Sequence, residues 1–162
     1  MKNHAFLIDA FAALARIDEH AFLVLAGDGS LRENVERRAG DLGLSERVCF
    51  LGLLDDMPSF YDGVDCFAMP SLSEGLPFSA VEAQCSGLPC VLSDRITDEV
   101  AITDLVEYLP LEAGAEAWAD CIKRALGYSS GMRKGYAGVV ADEGFDIHGT
   151  VAQLAALYMG RG

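Results

Sequence analysis

The chain has 162 residues, which is enough for one domain with a substantial apolar core. It is 51% hydrophobic and contains only 5 prolines, a composition that excludes a disordered chain. Its 12 Lys and Arg residues against 25 Asp and Glu residues give a net charge of −13. This acidity argues against nucleic acid or an anionic membrane surface as a direct partner. No apolar run reaches the roughly 18 residues of a membrane span.

The first predicted element is an amphipathic helix over residues 3–17. Its apolar side chains recur with helical spacing at Phe6, Leu7, Ala10, Phe11 and Leu14. The basic start and the apolar run after it also resemble a signal peptide, but Asp9 interrupts that run. We therefore interpret this segment as a helix of the folded domain.

Short apolar strands alternate with helices along the rest of the chain. Strands are predicted at 22–26, 48–51, 66–69, 90–92 and 106–109, and helices at 31–42, 56–61, 77–86, 115–126, 132–140 and 147–159. The first strand is a continuous apolar run, which is typical of a parallel strand buried on both faces. The pattern predicts a Rossmann-like, doubly wound parallel α/β sheet in a single domain over 1–162. The helical C-terminal tail is expected to pack its last helix back on the domain.

The five cysteines favour reduced thiols over disulfides or a metal site. They are Cys49, Cys66, Cys85, Cys90 and Cys121. Their number is odd, no Cys-x-x-Cys spacing occurs, and most of them lie in apolar runs. We expect buried thiols in a cytosolic protein.

Two glutamates bracket the connection between the predicted strand 66–69 and the predicted helix 77–86. Glu74 lies in a short Ser/Gly/Pro loop, and Glu82 lies within the helix. Open α/β sheets bind ligands at the carboxyl ends of their strands, and the start of a helix offers free N–H groups to phosphate. Carboxylates repel phosphate, so their targets are hydroxyl groups. A sugar nucleotide carries hydroxyls on both sides of a diphosphate.

The segment 74–82 resembles the Glu-(seven residues)-Glu motif of family four of the retaining glycosyltransferases with the GT-B fold. Four further segments follow the order of that family: 25–32, 48–52, 65–71 and 82–89. The resemblance covers residues 2 to 110 well and the helical tail loosely. Within the family, the chain is most similar to bacterial capsular and exopolysaccharide glycosyltransferases.

The resemblance implies separate roles for the two glutamates. Glu74 is the candidate catalytic residue and would orient the hydroxyls of the transferred sugar, without acting as a covalent nucleophile. Glu82 would bind the ribose diol of the nucleotide. Apart from the resemblance, Glu74 could be a solvated loop acid and Glu82 an exposed helix acid. The small apolar residues around Glu82 indicate a buried helix, in which a carboxylate needs partners.

The resemblance places the donor diphosphate between Lys2 and the start of the motif helix. The family holds it with an Arg followed by a Lys, and Lys2 matches that Lys, whereas the Arg would come before the first residue. Gly75 would let the ligand approach the backbone closely, next to Leu76 and Phe78. Pro77 departs from the glycine that is frequent in the family, and it cannot donate an N–H group.

Two further positions are candidate contacts to the donor. Gly27 lies in the Gly-Asp-Gly turn that closes the first strand, where a ligand edge and an ordinary tight turn are both open interpretations. Leu53 matches the point at which the family's backbone meets the nucleotide base. No His or Cys has metal-ligand spacing, and no metal or other cofactor is expected.

By this resemblance the chain is the donor-binding half of a retaining glycosyltransferase in cell-surface polysaccharide or glycolipid synthesis. We expect the acceptor to be bound by a separate N-terminal domain outside this chain, and the isolated chain to be inactive. The expected location is the cytoplasm, with attachment to the inner membrane only through the absent domain. Two alternatives stay open: a non-catalytic module that binds a nucleotide sugar, and part of a sugar-nucleotide epimerase.

Overall fold

The computed structural model describes residues 2–129 and 135–160. The strands are β1 (Leu23–Ala26), β2 (Val48–Gly52), β3 (Phe67–Met69), β4 (Cys90–Ser93) and β5 (Val106–Leu109). The helices are α1 (His4–Ile17), α2 (Arg32–Asp41), α3 (Met57–Asp62), α4 (Phe78–Cys85), α5 (Gly114–Ser129), α6 (Ala137–Val140) and α7 (Ile147–Tyr158). Short helical turns at Ser45–Arg47, Asp98–Val100 and Leu111–Ala113 were not predicted.

The predicted elements are confirmed, most of them to within one or two residues at each end. The exception is the predicted helix 132–140. Its residues 132–134 lie outside the described residues, and α6 covers only Ala137–Val140. After it comes an irregular helical segment, Ala141–Phe145, that bends at Gly144. The assignment of 1–162 to a single domain stays a prediction.

All the strand pairings are parallel, as predicted. Leu23 of β1 lies beside Val48 of β2, and Cys90 of β4 lies between Phe67 of β3 and Val106 of β5. The described strands nevertheless form two sheets, β1-β2 and β3-β4-β5, where one sheet was expected. A cleft of about 630 Å³ lies between them, and we call it the strand cleft. Its lining includes residues 22–26 of β1 and 63–70 around β3.

Strand β4 separates two apolar cores. Its side chains alternate between the faces, as pleated strands require. Val91 packs into the core that α1, α2 and α5 share, whereas Cys90 and Leu92 pack into the core with α3, α4 and α6. Helices therefore cover both faces of the three-stranded sheet, which confirms the doubly wound α/β architecture.

Helix α1 packs against α5 and anchors the amino-terminal part of the fold. Phe6 meets the fully buried Trp118 edge to face, with 5.6 Å between the ring centroids. The indole N–H of Trp118 donates to the carbonyl of Pro110 at 3.1 Å, so this buried polar group is satisfied. At the other end of α1, the guanidinium of Arg47 donates to the backbone carbonyls of Ala15 and Asp18.

The expectation that the last helix packs back on the domain is wrong. None of the side chains described in α7 is buried. Its exposed apolar residues are Ile147, Val151, Leu154, Leu157 and Tyr158. They recur at helical spacing, and no described element covers them. Across the described residues, no helix combines the length and the apolar character that crossing a bilayer requires.

The described cysteines are all unpaired, and the expectation of buried thiols is wrong for Cys49. Cys90 and Cys121 are buried, Cys66 is half-buried, and Cys49 is exposed. Burial raises the pKa of the Cys66 thiol to about 12 and raises the pKa of Cys90 further still. Both groups therefore stay protonated across the neutral range.

We predict that iodoacetamide at pH 8 labels Cys49 of the native chain and spares Cys66 and Cys90. Alkylation requires the thiolate, and a thiol of pKa about 12 is ionised to only on the order of one part in ten thousand at pH 8. Mass spectrometry after timed quenching would give the rates at which Cys49, Cys66 and Cys90 are alkylated, and the urea-unfolded chain would serve as the control. Labelling of Cys90 as fast as Cys49 in the native chain would contradict the burial described here.

Candidate functional site

The ends of β1 and β2 bring two of the predicted site residues together. Gly27 follows β1 directly and donates its N–H to the carbonyl of Gly52 at 2.6 Å. Gly27 has φ +109°, a conformation that L side chains rarely adopt. Leu53 follows Gly52, and 83% of its surface is exposed. An exposed apolar side chain therefore lies beside a glycine turn at the carboxyl edge of this sheet.

Glu74 lies in the loop that leaves β3, and Ser71 fixes its orientation. Ser71 is fully buried, and its hydroxyl donates to Oε1 of Glu74 at 3.1 Å. Glu74 is half-buried and forms an isolated parallel bridge with Ile96, in the loop after β4. The carboxylate is thus held at the carboxyl ends of β3 and β4, where the sequence predicted a ligand site.

Glu82 lies on α4 and is oriented by Tyr61 of α3. The Tyr61 hydroxyl donates to Oε2 of Glu82 at 3.0 Å. Burial, and then the neighbouring Glu82, raises the pKa of Tyr61 well above its usual value, so the phenol remains a donor at any assay pH. The partner expected for this carboxylate is therefore Tyr61, although Glu82 itself is exposed. The buried face of α4 consists of Ala80, Val81, Ala83 and Gln84 instead.

The loop between the two glutamates is open to solvent at Gly75 and Leu76, whereas Pro77 is buried. Gly75 is exposed, and a Cβ atom added there would meet no other atom within 4 Å. Its φ is not in the left-handed region, so the fold itself does not require glycine at this position. Leu76 is 36% exposed and Phe78 is 66% exposed. Pro77 precedes α4 and provides no side-chain cap for the first N–H groups of that helix.

Lys2 is exposed and lies at the strand cleft, which Ser79 of α4 also lines. The structure does not place Lys2 in the same cavity as the glutamates, since neither Glu74 nor Glu82 is among the described residues that line the cleft. Burial, and then the charge of Lys2, lowers the pKa of the half-buried His4. His4 is therefore neutral at pH 7, and Lys2 carries the positive charge at the start of α1.

Gln84 fixes the position of α4, and the sequence did not single it out. Its amide is fully buried and donates to the carbonyls of Ala80 at 3.0 Å and Val100 at 2.7 Å. Its oxygen accepts from the N–H groups of Ile102 and Thr103, at 3.1 and 3.0 Å. A satisfied buried amide of this kind joins the helix that carries Glu82 to the segment that leads into β5.

Three residues that orient the site were missed at the level of sequence: Tyr61, Ser71 and Gln84. Ser71 lies three residues before Glu74, so a serine close to a candidate carboxylate was an available signal. Tyr61 lies 21 residues from its partner Glu82, and nothing local indicates the contact.

Within the described residues, no group of three His, Cys, Asp or Glu side chains could hold a metal ion. That the function needs no metal stays a prediction.

Comparison with known proteins identifies the family. The model of the family described as glycosyl transferases group 1 matches residues 1–136. The chain belongs to this family. It is 40% identical over 159 residues to the putative glycosyltransferase EpsF of Bacillus subtilis, an alignment that covers 98% of this chain and 41% of EpsF. It is 34% identical over 130 residues to the lipopolysaccharide core biosynthesis glycosyltransferase LpsE of Rhizobium meliloti, covering 80% of this chain and 37% of LpsE.

A solved structure shows the same fold. The crystal structure of Anabaena Alr3699/HepE in complex with UDP-glucose matches 98% of this chain and 45% of that chain, with a TM-score of 0.78 and 21% identity. The GT-B glycosyltransferase fold predicted from the sequence is confirmed, as is the similarity to bacterial polysaccharide glycosyltransferases. The chain spans about two-fifths of the length of these relatives.

We predict that Gln84→Leu destabilises the fold by about 3 kcal/mol, because Ile102 and Thr103 lose the acceptor of their buried N–H groups. Urea unfolding would measure the change in the free energy of unfolding. Gln153→Leu, at an exposed position of α7, is the matched control and should change it by less than about 0.5 kcal/mol. Equal losses in both variants would show that the Gln84 contacts add nothing to stability.

Proposed function

We propose that this chain binds the nucleotide-sugar donor of a retaining glycosyltransferase that acts in cell-surface polysaccharide or glycolipid synthesis. The observation that carries the proposal is the arrangement of Glu74 and Glu82. Each carboxylate accepts a hydrogen bond from one buried, neutral residue, Ser71 or Tyr61, and the two flank the open start of α4. A ligand with hydroxyls on both sides of a phosphate fits this arrangement.

The contact with Tyr61 suits Glu82 to a diol. A carboxylate offers about four lone-pair directions on two oxygens, and Tyr61 uses one of them, on Oε2. The remaining capacity of the exposed carboxylate can accept two hydroxyl hydrogen bonds from a ribose. Because a neutral phenol rather than a cation orients Glu82, no neighbouring cation competes with the ribose for this carboxylate.

Glu74 is suited to the hydroxyls of the transferred sugar. Ser71 and the bridge to Ile96 hold the carboxylate at the carboxyl edge of the three-stranded sheet. A group held by a buried hydroxyl and by its own backbone is pre-organised, and this lowers the entropic cost of orienting a substrate. Glu74 would hold the transferred sugar so that the anomeric carbon of the sugar faces the acceptor.

The diphosphate would lie at the start of α4, between the two carboxylates. The starts of α3 and α7 are closed by the carboxylates of Asp56 and Asp146, which accept from backbone N–H groups. The start of α4, like the starts of α1 and α2, has no side-chain cap, so its first N–H groups and the positive end of the helix dipole can receive a phosphate. Lys2 would add the positive charge that a chain of net charge −13 needs near a diphosphate.

Uridine diphosphate is the first nucleotide to test, because the fold neighbour Alr3699/HepE was crystallised with UDP and with UDP-glucose. Leu53 and the Gly27 turn would receive the base. An 83% exposed leucine gives an apolar surface on which a flat base can lie.

For the whole enzyme, the chemistry is transfer of a glycosyl group with retention at the anomeric carbon. The bond from that carbon to the diphosphate breaks, and the negative charge that develops on the diphosphate is stabilised by Lys2 and the start of α4. No metal is required for this step when those groups supply the stabilisation. The acceptor would be bound by a further domain of the complete protein, which would work in the cytoplasm and reach the inner membrane only through that domain.

We predict that Glu82→Gln weakens the binding of UDP on the order of tenfold, because two charge-assisted hydrogen bonds to the ribose become neutral ones. Glu74→Gln should leave the binding of UDP unchanged and weaken the binding of UDP-glucose, again on the order of tenfold. Titration calorimetry in a buffer with chelator would measure the dissociation constants of both ligands for the native chain and for each variant. Glu46→Gln is the matched control. Glu46 is exposed and lies before the start of β2, at the amino ends of the strands and not at the carboxyl ends where the site lies.

Equal losses for both ligands in both site variants would contradict the division of roles between Glu74 and Glu82. Binding that is unaffected by Glu82→Gln, Glu74→Gln and Glu46→Gln alike would place the nucleotide elsewhere and overturn the proposal.

We further predict little or no transferase activity for the isolated chain, because acceptor binding belongs to another part of the protein. The release of UDP from UDP-glucose in the presence of simple sugar acceptors would measure it. Robust turnover by the 162-residue chain would show that both substrates bind here, contrary to the proposal.

A further inference from the structure

A cation, Arg32, lies at the carboxyl edge of the β1-β2 sheet, beside the turn proposed to receive the nucleotide base. Arg32 is the first residue of α2. Its Nη1 lies 3.9 Å from the position that a Cβ atom added to Gly52 would take. Gly52 is bonded to Gly27 and precedes Leu53, the two residues proposed to contact the base. The guanidinium is therefore close to the expected place of the base.

Two contacts hold the guanidinium of Arg32 in one orientation. Its Nε donates to Oε1 of Glu36, one turn further along α2, at 2.7 Å. Its central carbon lies over the ring of Phe50, 5.5 Å from the centroid. Phe50 packs against the core that α1, α2 and α5 share, so the surface under the guanidinium is rigid. The side chain is still 38% exposed, and a ligand can reach it at little cost in side-chain entropy.

The terminal nitrogens of Arg32 keep their hydrogen-bond donors available. A guanidinium has five N–H groups, and Glu36 accepts from the one on Nε. Within the described part of the chain, the N–H groups on Nη1 and Nη2 have no hydrogen-bond acceptor. The carbonyl of Gly52 already accepts from the N–H of Gly27 at 2.6 Å. At this corner of the sheet, Arg32 is therefore the side chain suited to donate to an oxygen atom of a ligand.

The part of the base that would face Arg32 follows from the place of the ribose. Because Glu82 is proposed to bind the ribose, the ring nitrogen that carries the ribose would point towards α4. The 4-position of a pyrimidine and the 6-position of a purine lie at the far side of the base from that nitrogen. Uracil and guanine carry a carbonyl oxygen there, whereas cytosine and adenine carry an amino group. An arginine donates to the carbonyl oxygen and cannot accept from the amine.

We propose that Arg32 selects the base of the donor, by donating to the exocyclic carbonyl oxygen of uracil or guanine and rejecting cytosine and adenine. The inference rests on the proposed function and adds to it a residue and a class of base, the oxo bases. Glu36 and Phe50 are positioning residues, which hold the guanidinium without touching the base.

Asp28 is the rival residue at this edge. It is exposed in the turn after β1, and its Oδ1 accepts from the N–H of Gly29 at 2.8 Å. A carboxylate only accepts hydrogen bonds, so selection by Asp28 would favour the amino bases. Arg32 and Asp28 therefore predict opposite preferences, which nucleotide binding can separate.

The test is titration calorimetry of the native chain, Arg32→Met and Arg37→Met with UDP, CDP, GDP and ADP. UDP and CDP share the ribose and the diphosphate and differ only in the base. The native chain should bind the oxo member of a pair, UDP or GDP, on the order of tenfold more tightly than the amino member. Arg32→Met should weaken the binding of the oxo member by about the same factor and that of the amino member little, so that the preference disappears.

Arg37→Met is the matched control, because it removes the same charge from an exposed position of the same helix. It should keep the preference of the native chain. The stronger binder of UDP and GDP in the native chain would show which of the two oxo bases the site accepts.

Three results would overturn this inference and leave the proposed function standing. A preference for the oxo base that survives Arg32→Met would show that another group selects the base. Equal weakening of UDP and CDP by Arg32→Met would show that Arg32 contributes charge without selection. Tighter or equal binding of CDP and ADP by the native chain would assign any selection to Asp28. A native chain that binds none of the four nucleotides would instead contradict the proposed function, and the inference with it.

Discussion

The parallel pairing of β4 with both β3 and β5 is the constraint from which the rest of the site follows. Because the three strands run in one direction, the loops that follow them leave from the same edge. Glu74 comes from the loop after β3 and meets Ile96 from the loop after β4. Strand β4 is buried on both faces and paired on both sides, so this edge has a rigid support.

Hydrogen bonds from neutral groups then set the geometry of the site. Ser71 orients Glu74 and Tyr61 orients Glu82. The Gln84 amide fixes the helix that carries Glu82 to the segment before β5. A cation in place of Ser71 or Tyr61 would form an ion pair with the carboxylate and compensate its charge. A buried hydroxyl positions it and leaves its charge available for a ligand. The basic residue assigned to the diphosphate, Lys2, lies instead at the strand cleft.

The sequence predicts elements well where one short pattern decides them and poorly where distant residues meet. Strand 106–109 and helix α4 follow from apolar runs, with Pro77 before the helix and Gly87 after it. The need of Glu82 for a partner was predicted from its small apolar neighbours, but its exposure was not, because in a helix those neighbours turn to the other face. The Tyr61 contact and the division into two sheets depend on tertiary structure, which no local pattern encodes.

The most direct test of the account is a map of amide chemical shifts in the ¹⁵N-labelled chain during titration with UDP. A nucleotide bound at the carboxyl edge should move the amide resonances of Gly75, Leu76, 78–82, Gly27 and Leu53 with one common dissociation constant. Shifts centred instead on Ser45–Arg47, before the start of β2, or the absence of any saturable shift, would contradict a donor site at this edge.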